Sequence, residues 1–319
     1  MARTQWYPAR ALWATRLTLQ GQRLARRALP YVLMAPALGL LAVVLVYPLL
    51  YSFRLSFTDW TLLNFRTGAK FIGLANYQKV LLDGDFWNAL GVTLVFMVSS
   101  TAIEFALGLG IAHLMARDYR GKGWLNPLIL LPFMCTNVVV GLVFRIMMNY
   151  DLGVINYLLD LVHLPPVNWL GDVATAMPAV VLMDVWNMTS FMALLLLAGL
   201  QALPEEPFES AIIDGASRAQ ILWHITLPML RPVILVAVLW RLIDTFKVFD
   251  VIYILTGGGP AKATDTMSIF AFRTGFQFFK LGYASAIAYI MVLIMLVLAI
   301  VAVRLTMQSA KGLRKVNRV

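Results

Sequence analysis

Charge is what this sequence has least of. Only 13% of its 319 residues are Asp, Glu, Lys or Arg, against 61% that are apolar, and the mean hydropathy is +0.78. Soluble domains carry about twice that share of charge, so a water-soluble globule is excluded. Cysteine is nearly absent. Cys135 alone forbids an internal disulfide or a cysteine-built zinc cage, and its apolar surroundings predict a small buried hydrophobe. His113 and His224 have no Asp, Glu, His or Cys at ligand spacing, which argues against a metal site. A phosphate-cradling Gly-x-x-x-x-Gly-Lys-Ser/Thr run is also missing, since Gly121-Lys122-Gly123 lacks both the spacing and the hydroxyl. No His-Glu-x-x-His cluster occurs, which argues against a membrane-embedded enzyme of that kind.

What is present in quantity is long apolar runs. A helix rises about 1.5 Å per residue, so a hydrocarbon core about 30 Å thick needs about 20 residues. Five runs meet that test. One is uncharged between Arg27 and Arg54, and a second, residues 86–113, is interrupted only by Glu104. A third is uncharged between Lys122 and Arg145, a fourth covers about 177–200 around Asp184, and a last lies between Lys280 and Arg304. A weaker run, about 229–255, carries Arg241, Asp244, Lys247 and Asp250. It counts as the fifth span, because an even number of crossings puts both basic termini on one side.

The net charge of +10 follows those runs. The basic residues flank them and form no patch with interleaved aromatics, so they read as topology signals and not as a nucleic-acid site. With the N-terminus inside, Arg3 to Arg27, Arg117, Arg120, Lys122, Arg218, Arg231 and Arg304 to Arg318 face the cytoplasm, about twice the Lys/Arg of the other side. Both termini are therefore expected inside. The first run starts too far in and is too long for a signal-peptide core, so it is read as a retained span. The expected fold is all-α, a polytopic membrane protein with six transmembrane helices. Residues 1–30 form a basic tail, 31–305 the spanning domain and 306–319 a second cytoplasmic tail. The tail aromatics Trp6, Tyr7 and Trp13 allow either a leaflet-bound segment or a disordered one.

One cytoplasmic connection, residues 202–228, is too long to be a plain linker between spans. Pro207 suits a first helical turn, while Glu205, Glu206 and Glu209 favour the positive end of a helix dipole. Phe208, Ala211 and Ile212 share a face by i, i+3, i+4 spacing. Gly215 can end the helix at positive φ, Asp214 or Ser217 can cap the next one, and Pro228 is expected to mark the start of the fifth span. Two short helices around a turn, partly apolar, predict a docking element.

Glu209-Ser210-Ala211, Gly215 after three intervening residues, and then Ile225, Leu227 and Pro228 resemble the signature loop of permease subunits of ATP-binding-cassette (ABC) importers. Phe71 to Tyr77, Ala198 to Gln201 and Phe249 to Pro260, which ends in Gly257-Gly258-Gly259-Pro260, are similar to the carbohydrate permeases of the maltose and glycerol-3-phosphate type. The family has Ala-Ala where this chain has Ser210-Ala211, and often proline where it has Ser190, which leaves the register of the fourth span open.

The resemblance implies a type I ABC importer permease fold in a bacterial or archaeal inner membrane. It also implies an ATPase-coupling role for Glu209, Ser210, Ala211, Asp214, Gly215, Ala216, Ile225, Leu227 and Pro228. The partners implied are a second homologous permease, two ATPase subunits, an extracytoplasmic solute-binding protein met by outer loops with Trp169 and Asp172, and the lipid bilayer, with no nucleic acid. This chain then needs no cofactor, ATP and Mg being bound by the ATPase.

Ionisable groups at bilayer depth cost about 2.5–3.5 kcal/mol on insertion scales, so they face a partner or a cavity. Arg241, Asp244, Lys247 and Asp250 can pair at i, i+3. They serve either as structural ion pairs at an interface between two permeases or, with Asn137, Asp184, Asn187, Trp240 and Thr245, as the border of a polar route for a hydroxyl-rich solute. Trp186 and Trp240 are candidates for sugar stacking. Glu104 is read as an interhelix hydrogen-bonding group or, alternatively, as part of that polar route. An ion-coupled secondary carrier would also explain these charges, but it predicts inverted repeats that are not visible and leaves the folded loop unused.

Overall fold

The computed structural model describes residues 29–64, 68–117 and 120–316; the expected N-terminal tail lies almost wholly outside them. Among the described residues there is no strand, only an isolated bridge between Thr58 and Phe71. Helix α1, Leu29–Ser56, is apolar enough to span a membrane. Up to Leu55 it forms a compact unit separate from the rest of the chain. Inside it a π turn, Ala42–Val46, precedes Pro48, and Tyr47 N–H reaches back to Ala42 O. Proline has no N–H to continue the ladder, and the wider turn absorbs the mismatch.

The second unit begins at Ser56. A short helix α2 (Ala75–Leu82) leads into α3 (Gly84–Ala116), whose first turn is capped by Asp83 accepting from Asp85 N–H. The third run is not one straight span. It breaks into α4 (Lys122–Met134) and α5 (Asn137–Met147), bent by 90°. Pro127 and Pro132 lie within α4, and Cys135 and Thr136 are extended. Pro132 removes a backbone donor just before the helix ends, and β-branched Thr136 favours the extended geometry of the break. Cys135 sits at this corner and is exposed, not buried as its apolar neighbours suggested.

Helix α6 (Val154–Leu161) and α7 (Val173–Gln201) follow, then α8 (Glu206–Ile213). Ser190 keeps its N–H in the helix ladder, and α7 runs unbroken past it. The fifth span, α9, covers Arg218–Phe246. It differs from the sequence expectation at both ends. Pro228 does not mark its start: a π turn at Leu222–Thr226, with Leu227 N–H on Leu222 O, carries the helix through the proline as in α1. It stops at Phe246, so Asp250 lies in a separate helix, α10 (Asp250–Leu255). Helix α11 (Met267–Phe272) and the long α12 (Leu281–Val316) complete the chain. Residues 306–316 continue α12.

Helices α3 and α7 form the spine of this unit. A Cβ on Gly108 would come within 2.8 Å of Met192 Cγ, and one on Gly199 within 2.8 Å of Leu230. Glycine at these points is what lets the backbones approach, the usual device for helix contact in a lipid solvent. At one end Ala112, Met115, Met192, Leu196 and Leu230 pack together, and at the other Phe96, Phe144, Val180, Met183 and Ile252 do so.

Candidate functional site

The 202–228 segment folds into one helix and a turn that feeds directly into the fifth span. Pro207 occupies the first turn of α8. Its C-terminus is a Schellman motif: Ala216 N–H bonds Ala211 O at 2.9 Å and Gly215 N–H bonds Ile212 O at 3.1 Å, with Gly215 at φ +76°. Of the two capping candidates, Ser217 is the one used. Its Oγ accepts from Gln220 N–H while Gln220 Oε1 accepts from Ser217 N–H at 2.8 Å, a complete capping box opening α9. Asp214 terminates α8 instead, with its N–H on Ser210 O at 3.0 Å.

Ala211 is buried, and Phe208 lines clefts with Ala116, Leu200 and Leu203. Ile212 and Ile213 are 66% and 85% exposed, and Glu209 and Ser210 also face outward. Ile225 and Leu227 are half-buried and Pro228 exposed at the foot of α9. Trp223, 67% exposed on the first turns of α9, adds an aromatic that no motif position signalled.

At membrane depth the structure gathers four ionisable side chains from three helices. Arg241 on α9 donates through Nε to Glu104 Oε2 on α3 at 2.5 Å and through Nη2 to Glu104 Oε1 at 2.9 Å. The same Nη2 reaches Asp184 Oδ2 on α7, and Nη1 bonds Asp244 Oδ2 at 2.8 Å. Lys247, exposed, stands 3.4 Å from Asp244. The i, i+3 pairs expected along the fifth span therefore form from Arg241 to Lys247. Among the described residues none joins Lys247 to Asp250. These pairs join side chains of one chain. Glu104 is the interhelix partner it was expected to be, and it binds the arginine.

The remaining polar candidates divide. Asn187 is 97% buried with neither amide atom hydrogen-bonded. Thr245 is fully buried and its hydroxyl donates to Arg241 O at 2.8 Å, so it is turned into its own helix rather than toward any route. Asn137 is half-buried at the start of α5, beside the bend. Trp240 is 42% exposed and packs on Phe191, with centroids 4.4 Å apart. Phe191 stacks on Phe133 of α4 at 4.8 Å. Trp186 is half-exposed against Phe144 of α5. The sequence named the two tryptophans. Phe144, which packs on Trp186, and Phe133, which stacks on Phe191, come from the bent third span, whose fold no local pattern announces.

Asn156 organises the loop before α7. It donates to Tyr150 O and Val167 O and accepts from Trp169 Nε1 at 2.9 Å. Asp172 caps α7 through Ala174 N–H. Both loop residues are thus occupied in building the loop itself.

Apolar spans surround an internal ion cluster, with a folded helix between the fourth and fifth, the arrangement of a polytopic membrane protein. The chain belongs to the family of binding-protein-dependent transport system inner membrane components, whose profile matches residues 104–315. It is 39% identical to the trehalose/maltose transport system permease protein MalF of Thermococcus litoralis, over 86% of this chain and 92% of that one. It is 37% identical to the trehalose transport system permease protein SugA of Mycobacterium tuberculosis, over 92% and 93%. Its fold matches, at TM-score 0.77, 22% identity and 91% and 99% coverage, a subunit of a bacterial ABC transporter that imports the polysaccharide alginate. It is a multi-pass inner-membrane permease with an ABC importer fold.

Proposed function

We propose that this chain is one of two permeases in an ATP-driven importer for a carbohydrate or polyol, with helix α8 as its coupling element. The observation that carries this reading is the continuity from α8 into the fifth span. A rigid Schellman turn at Gly215 and a capping box at Ser217 join an outward-facing apolar helix end, Ile212 and Ile213, to the helix that bears Trp240, Arg241 and Asp244. Displacement of α8 by a partner moves those residues.

In this reading Glu209, Ser210, Ala211, Asp214, Gly215 and Ala216, with Ile225, Leu227 and Pro228 at the foot of α9, form the seat for a separate ATPase, which binds the ATP and Mg. Both termini face that side. Asn137, Asp184, Asn187, Trp240, Asp244 and Lys247 border the solute route. Thr245 shapes its helix from behind. A second permease supplies the other half of the route, and an extracytoplasmic binding protein delivers the solute. Relatives named for trehalose, maltose and sulfoquinovosyl glycerol transport support the carbohydrate class.

The test is uptake into proteoliposomes holding the assembled complex, with binding protein outside and ATP inside. ATP-dependent uptake of labelled sugar is expected. Uptake that persists without the ATPase and collapses with a proton or sodium gradient would sink the proposal.

A further inference from the structure

Glu104 is fully buried and Asp184 nearly so, and both take hydrogen bonds from the same Arg241 Nη2. Sharing one donor nitrogen sets the two carboxyl groups side by side. Like charges packed together in a site of low dielectric resist double ionisation. The charge balance points the same way. The groups facing the pair are Arg241 and Asp244 from α9, with Lys247 beyond Asp244. Lys247 offsets Asp244, which leaves Glu104 and Asp184 facing a single guanidinium.

The surroundings are polar and not saturated by the protein. Gly108 on α3 lies against Met192 on α7, and Val95, Ser99 and Ile103 share a groove with Pro178, Val181 and Val185, so the two helices run side by side in the same direction. That register sets Asn187 level with Glu104 and Ser100 level with Asp184. Asn187, Ser100 and Thr101 are each more than nine-tenths buried, and their side-chain polar atoms have no hydrogen-bond partner among the described residues. A metal ion does not fit: the centre of the acids is filled by the guanidinium, and no group of three metal-ligating side chains is assembled among the described residues.

We propose that Glu104 and Asp184 form a built proton-binding site, one proton being held between the two carboxyl groups while Arg241 neutralises the remaining charge. A hydronium ion from the solvent delivers the proton: one of its O–H bonds breaks as one carboxyl O–H bond forms, and water is released. The cluster that ties α3, α7 and α9 together is then electrically neutral, and the three helices stay joined while other parts of the permease move.

Infrared spectra of the purified, assembled transporter test this directly, because a protonated carboxyl has a C=O stretch apart from carboxylate bands and shifts in heavy water. The wild type at neutral pH should show such a band. It should disappear in Glu104→Gln and in Asp184→Asn, each leaving one ionised acid on Arg241, and persist in the exposed control Asp160→Asn. Both isosteric variants mimic the protonated group and should assemble. Absence of the band in the wild type, its survival in both variants, or failure of both variants to assemble would overturn the proposal. So would sodium-specific stabilisation relative to choline, which would mean a metal ion occupies the site.

Discussion

Arg241 and Glu104, 137 positions apart in the chain, meet in a two-pronged contact in which Nε and Nη2 of the guanidinium donate to the two oxygens of one carboxylate. The planar fork is what an arginine offers and a lysine does not. Because the side chain is buried, removing it leaves Glu104, Asp184 and Asp244 without their common partner. Arg241→Ala should therefore cost about 3–5 kcal/mol, the range for breaking a buried ion pair from one side. Arg241→Lys should recover only part of that. Thermal unfolding in detergent, followed by the yield of assembled complex, checks both.

The sequence carried the chemistry of this cluster but not its geometry. Spans, their charges and the folded loop are local: each depends on windows of about 20 residues and on caps such as Ser217 and Gly215. The i, i+3 rule correctly paired Arg241 with Asp244. It did not pair Arg241 with Asp184, because that contact depends on how α3, α7 and α9 pack, and small residues such as Gly108 and Gly199 set that packing without advertising their partners. The ends of the fifth span were misread for a related reason. Proline is a local stop signal, and only the structure shows a π turn absorbing Pro228. The same limit applies to the 90° bend at Cys135, which exposes a residue expected in the core.

Gly215 sits at φ +76° in open space, so a side chain there meets no neighbour and pays only for the left-handed backbone, about 1–2 kcal/mol. Gly215→Ala should leave insertion and assembly intact and loosen the turn between α8 and α9. Gly215→Pro, which cannot adopt that φ, should uncouple more completely. Glu209→Arg reverses charge on the exposed face of α8 and should weaken docking. The expected readout is ATP hydrolysis that no longer responds to the binding protein while sugar uptake falls at least tenfold. Normal uptake in Gly215→Pro and Glu209→Arg would remove α8 from the coupling role.

Asp244 is partly exposed, and it links buried Arg241 to exposed Lys247. Its loss still leaves Arg241 bonded to Glu104 and Asp184, so Asp244→Ala should assemble. Transport should drop, since the polar border of the proposed route loses its anion and Lys247 loses its tether. Uptake and assembly measured on the same preparation separate the two roles: loss of the complex would mean Asp244 is structural.

Gly108→Ala tests the spine. Its Cβ would stand 2.8 Å from Met192 Cγ and 3.1 Å from the backbone N of Ala193. Met192 Cγ can turn away only by a rotamer change, and neither Met192 Cβ, 3.0 Å away, nor the backbone can yield without separating α3 from α7. Overpacking of this kind costs about 1–3 kcal/mol. A companion Met192→Ala change relieves the side-chain clash and leaves the backbone one. The double variant should therefore recover part of the thermal stability lost, and full recovery would show that the helices do not approach as closely as this.

Asp265 offers a titration outside the spans. Burial pushes its carboxyl above the ordinary range, and the Arg273 guanidinium bonded to it pulls the other way without cancelling the shift. The folded state thus holds a proton that the unfolded chain has already released. By linkage, the stability this group contributes is complete below the ordinary carboxylate range and is lost as pH rises through the higher folded value. Asp265→Asn keeps the shape and removes the titration. The variant should flatten the fall in melting temperature between acidic and neutral pH, with the two curves converging at the acid end. A variant curve parallel to the wild type across that window would mean that the Arg273 contact, and not burial, governs this carboxylate.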